Sequence, residues 1–96
     1  MNITDVRIRK VNVDSKVLAV ASVTFEGVFV VHDIKVIHGE KGVFIAMPSR
    51  RKHDGEYIDI AHPINQEFRN YIEDTIINEL AKFDDLEGEN EEKEHV

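Results

Sequence analysis

The sequence predicts an α+β domain: a twisted antiparallel sheet, made of a four-stranded meander plus a short fifth strand, packed by one C-terminal helix. Three observations lead there. Ile- and Val-rich segments fill the first half of the chain and are separated by Gly-containing turn signals at Glu26-Gly27 and at 38–42, HGEKG. Pro48 and Pro63 bracket a polar stretch. Beyond them Phe68, Ile72, Ile76 and Leu80 recur every four residues, the spacing of one helical face.

Residues 3–13 read as the first strand. Val6 and Ile8 share one parity and Val11 and Val13 the other, which suggests a bulge near Arg9-Lys10. Segments 17–25 and 28–37 flank Glu26-Gly27 as a two-residue hairpin. Folding about that turn pairs Val23 with Val30, Ala21 with His32, Ala19 with Ile34 and Val17 with Val36, an almost wholly apolar face. His32 then sits on that face as a core histidine with one satisfied hydrogen bond. The opposite face, which carries Val20, Ser22, Asp33 and Lys35, is mixed, as for a surface partly solvated or partly an interface.

With Glu40-Lys41 as the next turn, Val36 meets Ile45 and Ile34 meets Met47. Pro48 ends the fourth strand. Residues 48–55, PSRRKHDG, read as a polar loop with a turn at Asp54-Gly55, and 56–61 as a short fifth strand. Asn65 suits a helix N-cap and Glu67 the first turn of the helix. Phe83 extends the apolar stripe, and Ile77 and Ala81 widen it. The segment 84–96 has neither periodicity nor aromatics and reads as a disordered acidic tail behind a domain of residues 1–83.

Ninety-six residues make one domain with a thin core, a size at which oligomerisation often hides further apolar surface. The net charge of −7 is unevenly spread: the tail from Asp84 carries −6, which leaves −1 on the body. An acidic total therefore does not exclude a basic patch. There is no cysteine, hence no disulfide, thiolate site or thiol nucleophile. The first ten residues hold no signal-type apolar run, and no stretch reaches the roughly 18 apolar residues of a membrane helix, so a cytoplasmic location away from membranes is expected.

Catalysis finds little support. Ser15, Ser22 and Ser49 have no neighbouring histidine or oxyanion motif in sequence, and there is no phosphate-binding glycine loop. His38, His53 and His62, with Asp59, match no ligand spacing. Asp59 and His62 fit better as braces of the strand-to-helix turn. No catalytic residue, metal, cofactor or small-molecule substrate is expected.

Two basic clusters remain. Arg50, Arg51 and Lys52 are adjacent in the polar loop. They suit a solvated turn pairing with Asp54 or Glu56, or else contact with phosphates and guanine edges, which the planar guanidinium fork matches. Arg7 and Arg9 share one strand face, with Lys10 beside or away from them depending on the bulge. They suit a solvated edge that discourages aggregation, or else a second basic row along a nucleic-acid backbone.

Several stretches together resemble the SpoVG (stage V sporulation protein G) family: ITDVRIRKVN, FVVHDIKVI, FIAMPSRR and DGEYIDIAHPIN. The resemblance spans residues 1–83, and the pairing of AMPSRR with DIAHPIN is its most distinctive part. It implies a small sheet-plus-helix fold and a homodimer. It also implies sequence-preferring binding to DNA, in some members to RNA, with regulatory consequences tied to sporulation and septation. The family's basic loop maps onto Arg50, Arg51 and Lys52, and its first-strand cations onto Arg7, Arg9 and Lys10. The alternative is a protein–protein module acting on cell-division or replication machinery without touching nucleic acid. A small enzyme is the third and least supported class.

Overall fold

The structure, a computed structural model, describes residues 1–10 and 16–95, with side chains described through Lys82. Strands β1 (Ile3–Lys10), β2 (Val17–Phe25), β3 (Phe29–Gly39) and β4 (Gly42–Ala46) form one antiparallel sheet in chain order. Strands β5 (Ser49–Arg51) and β6 (Tyr57–Asp59) pair separately as a two-stranded ribbon. Helix α1 is Gln66–His95. The predicted α+β architecture is present, with the fifth strand paired to residues read as loop.

The period-two pattern of β2 places Ala19, Ala21, Val23 and Phe25 in the core. They meet Ile34 and Val36 of β3, Ile45 and Met47 from β4 and its exit, and Ile72, Ile76 and Leu80 of the helix. Burying each large aliphatic side chain contributes about 1.5–3 kcal/mol. The helix stripe is as the spacing predicts, but Ala81 is exposed, and Phe83 lies outside the described side chains. Asn65 caps the helix, its Oδ1 accepting the Phe68 amide at 2.8 Å. The Phe68 ring lies 5.7 Å from Phe25 and 5.8 Å from Tyr71, and so pins the first turn to the sheet.

Two registers differ from expectation. The β2–β3 turn does centre on Glu26-Gly27, both at positive φ (54° and 67°), the geometry of a tight hairpin turn. Phe25, however, pairs with Phe29, so Val28 is an extra residue. A second irregularity falls between Ala21 and Val23, where Asp33 adopts φ 62°. Asp tolerates this left-handed conformation better than most residues. The bulge absorbs one residue, so Val31 and Ile34 both face the helix while His32 and Asp33 both become exposed. His32 is therefore not a core residue. The turn at Glu40-Lys41 follows prediction, with Val36 opposite Ile45.

In β1 the register runs evenly from Asp5–Thr24 to Lys10–Ala19, and its irregularity lies at Thr4 rather than near Arg9-Lys10. Val11 and Val13 lie outside the described residues. The backbone of α1 runs on to His95. Glu, Lys and Leu are good helix formers and no proline interrupts them.

Candidate nucleic-acid interface

Even alternation along β1 puts Val6 and Ile8 toward the helix and exposes Arg7 and Arg9 on the opposite face. Lys10 follows the parity of Ile8, so the structure separates it from the two arginines instead of grouping the three. Across the outer face Arg9 pairs with Val20, and Val20 with Lys35. Two strand spacings of about 4.8 Å thus set the two cations roughly 10 Å apart. Arg7 pairs with Ser22, whose Oγ lies 2.9 Å from His32 Nδ1. Arg7, Arg9, Val20, Ser22, His32 and Asp33 line a groove of about 460 Å³. Asp5 Oδ2 accepts from Arg7 Nε at 3.0 Å, an exposed pair that leaves the rest of the guanidinium facing solvent.

The second cluster is not a loop. Arg50 and Arg51 stand in β5, where Arg50 pairs with Ile58 and Arg51 with Tyr57. The ribbon forms because Asp54-Gly55 closes a tight turn. Gly55, at φ 93°, donates its amide to the Lys52 carbonyl at 3.0 Å, and Asp54 Oδ1 accepts the Glu56 amide at 3.0 Å. Lys52 is half-buried, with Nζ 3.6 Å from Asp54 Oδ2, so it braces the turn that presents the arginines. All six side chains of β5 and β6 are exposed.

The base of the ribbon adjoins the outer face of the sheet. A second cleft of about 320 Å³ is lined by Arg9, Asp33 and Lys35 of the sheet together with Pro48, Ser49 and Ile60 at the ribbon's base. Among the described residues Arg9, Lys35, Arg50 and Arg51 have no carboxylate partner, so their charge is available to a ligand. Lys35 was missed by sequence reasoning because it lies apart from the basic runs. Its signal was a place on the mixed face opposite in parity to Ile34 and Val36.

His62 donates from Nδ1 to the Pro63 carbonyl oxygen at 3.1 Å and so braces the turn as expected, whereas Asp59 is exposed on β6. Among the described residues no three His, Asp or Glu side chains are grouped to share a metal ion, and no helix is long and apolar enough to cross a membrane.

Fold and site define a small α+β protein with a cationic ribbon beside a basic groove, on the sheet face opposite its helix. Residues 1–82 match the SpoVG family model. The chain belongs to the SpoVG family. It is 60% identical over 87 residues to a Clostridium perfringens relative, covering 91% of this chain and 97% of that one. A Thermoanaerobacter relative is 54% identical over 92 residues (96% and 100% covered), and a Bacillus licheniformis relative 53% over 87 (91% and 90%). All three carry the SpoVG name and a reference to septation in it.

Proposed function

We propose that this chain binds nucleic acid, DNA and also RNA, and acts as a regulator rather than a catalyst in the septation and sporulation context of its family. The observation that carries this reading is a set of cations without a carboxylate partner among the described residues: Arg9 and Lys35 line the cleft that the sheet shares with Ser49 at the ribbon's base, and Arg50 and Arg51 follow Ser49 along the exposed ribbon. Polyanion binding releases condensed counterions, so the affinity should fall with salt by a slope of about −0.9 per duplex phosphate contacted. A gel-shift titration across salt concentrations tests it. Affinity independent of salt would remove the cations from the interface.

A second reading rests on a different surface. Phe29 and Ile64 are 59% and 94% exposed around an apolar cavity of about 270 Å³ that reaches in to Phe25 and Ile72. Such a patch on a small chain favours a protein contact. We assign it to the twofold contact of a homodimer, which would present two ribbons to one nucleic acid. A foreign partner at this patch is the protein–protein module alternative. Sedimentation equilibrium separates them: a monomer mass at micromolar concentration would leave the patch to another protein.

A further inference from the structure

The ribbon carries an aromatic side chain that the proposed electrostatic contact does not use. Tyr57 is 71% exposed. Among the described residues its ring meets no other ring or cation, and its hydroxyl has no hydrogen-bond partner. Tyr71, itself 39% exposed, shows by contrast a tyrosine held by contacts within the protein. Tyr71 packs 5.8 Å from Phe68, and its hydroxyl oxygen accepts the Ile3 amide at 2.9 Å. Tyr57 does neither.

Its surroundings define what its ring would take. Directly opposite on the ribbon stands Arg51, so the two side chains leave the same face. Arg51 Nη2 lies 3.8 Å from where a Cβ on Gly55 would be, so the guanidinium reaches back over the turn and leaves the tyrosine ring open. On that same face the next pair is Ser49 with Asp59, one hydroxyl and one carboxylate. An open aromatic ring, a free guanidinium one strand spacing away and a small donor–acceptor pair beyond match a nucleotide with its base unstacked. The base lies on the ring, its phosphate meets the guanidinium, and its polar edge faces Ser49 and Asp59.

We propose that Tyr57 is a stacking site for an unpaired nucleobase and Arg51 its phosphate contact, so that the ribbon takes single-stranded nucleic acid in preference to duplex. A base inside a duplex is already stacked on both faces and has none to offer Tyr57. The inference rests on the nucleic-acid reading above and goes further by naming the strandedness of the ligand.

The test measures fluorescence anisotropy of labelled oligonucleotides about 12 nucleotides long, a length within the usual single-strand site size. DNA and RNA single strands, the matching duplex, and a strand with abasic sugars in place of its nucleosides are compared. Tyr57→Ala should weaken single-strand binding roughly tenfold, and Tyr57→Phe should restore it. Duplex binding and binding to the abasic strand, which keeps the phosphates and lacks the rings, should be unmoved by either substitution. Circular dichroism confirms the fold of each variant. If Tyr57→Ala binds intact single strands as well as wild type does while Arg50→Ala with Arg51→Ala does not, the cationic site stands and the stacking site falls. An equal loss on the abasic strand overturns stacking too. If wild type binds no oligonucleotide at all, the nucleic-acid reading falls and takes this inference with it.

Discussion

Arg69 on α1 donates from Nη2 to the carbonyl oxygen of Ile45 on edge strand β4, at 2.9 Å. One helical turn on, Glu73 Oε2 accepts the Ile45 amide at 3.2 Å. Two side chains at i and i+4 thus occupy both free backbone groups of one edge residue. An open edge is a template for pairing with another chain, and this fork closes it at Ile45. Arg69→Ala should lower stability by about 1–2 kcal/mol, the worth of a charge-assisted bond at a half-buried site. A urea midpoint equal to wild type would show that water replaces the bond at no cost.

Ile76 is fully buried and Ile72 nearly so, in the centre of the helix–sheet contact. Truncating either to alanine should cost about 2–5 kcal/mol in denaturant titration, through lost transfer energy and a residual cavity. Ala81→Ser, on the exposed side, should stay within about 0.5 kcal/mol. A loss below about 1 kcal/mol at Ile76 would contradict the core described above.

Replacing Arg50 and Arg51 together with alanine should remove most nucleic-acid binding, at about 1–3 kcal/mol per lost contact. Both side chains are exposed, so the circular dichroism spectrum should not change. Full binding by the double variant would place the interface elsewhere.

Lys35→Ala separates the contribution of the sheet face from that of the ribbon. It should weaken binding evenly across sequences and reduce the salt slope by about one phosphate contact. A wild-type slope would confine the interface to the ribbon.

Asp33 combines a strained backbone with a carboxylate among cations. Asp33→Gly should relieve the left-handed conformation, whose cost for a residue with a side chain is about 1 kcal/mol. It should also tighten nucleic-acid binding, because a negative charge leaves the lining of both clefts. Thermal unfolding checks the first effect and anisotropy the second. Weaker binding would make Asp33 a contact to the ligand, such as an acceptor for a cytosine amino group.

The sequence made the meander, the capped helix and its apolar stripe legible because each rests on a short-range rule: alternation, turn chemistry, or a four-residue repeat. The departures arise where one residue is inserted. Nothing in FVVHDIK announces that Asp33 takes a left-handed conformation, yet that one angle moves His32 from the core to the surface. PSRRKHDG looks like a loop because its cations have no apolar alternation. It pairs because Asp54-Gly55 closes a turn and the partner segment Tyr57–Asp59 is β-prone. The place of Arg7 and Arg9 on one face was readable, but the nearness of Lys35 needed the sheet itself, since Arg9 and Lys35 meet only through Val20.

The two side-chain ties from α1 to opposite edges of the sheet, Tyr71 to Ile3 and Arg69 to Ile45, also bear on the rates of folding. Every sheet strand pairs with its neighbour in the chain, so the sheet closes through local contacts at small entropic cost. The ties span 68 and 24 residues, and each can form only once its own edge strand is in place against the helix. They belong to the late, native side of the barrier. Removing either should therefore speed unfolding while leaving the refolding rate almost unchanged, so the helix acts less as a nucleus than as a latch that lengthens the lifetime of a sheet already made.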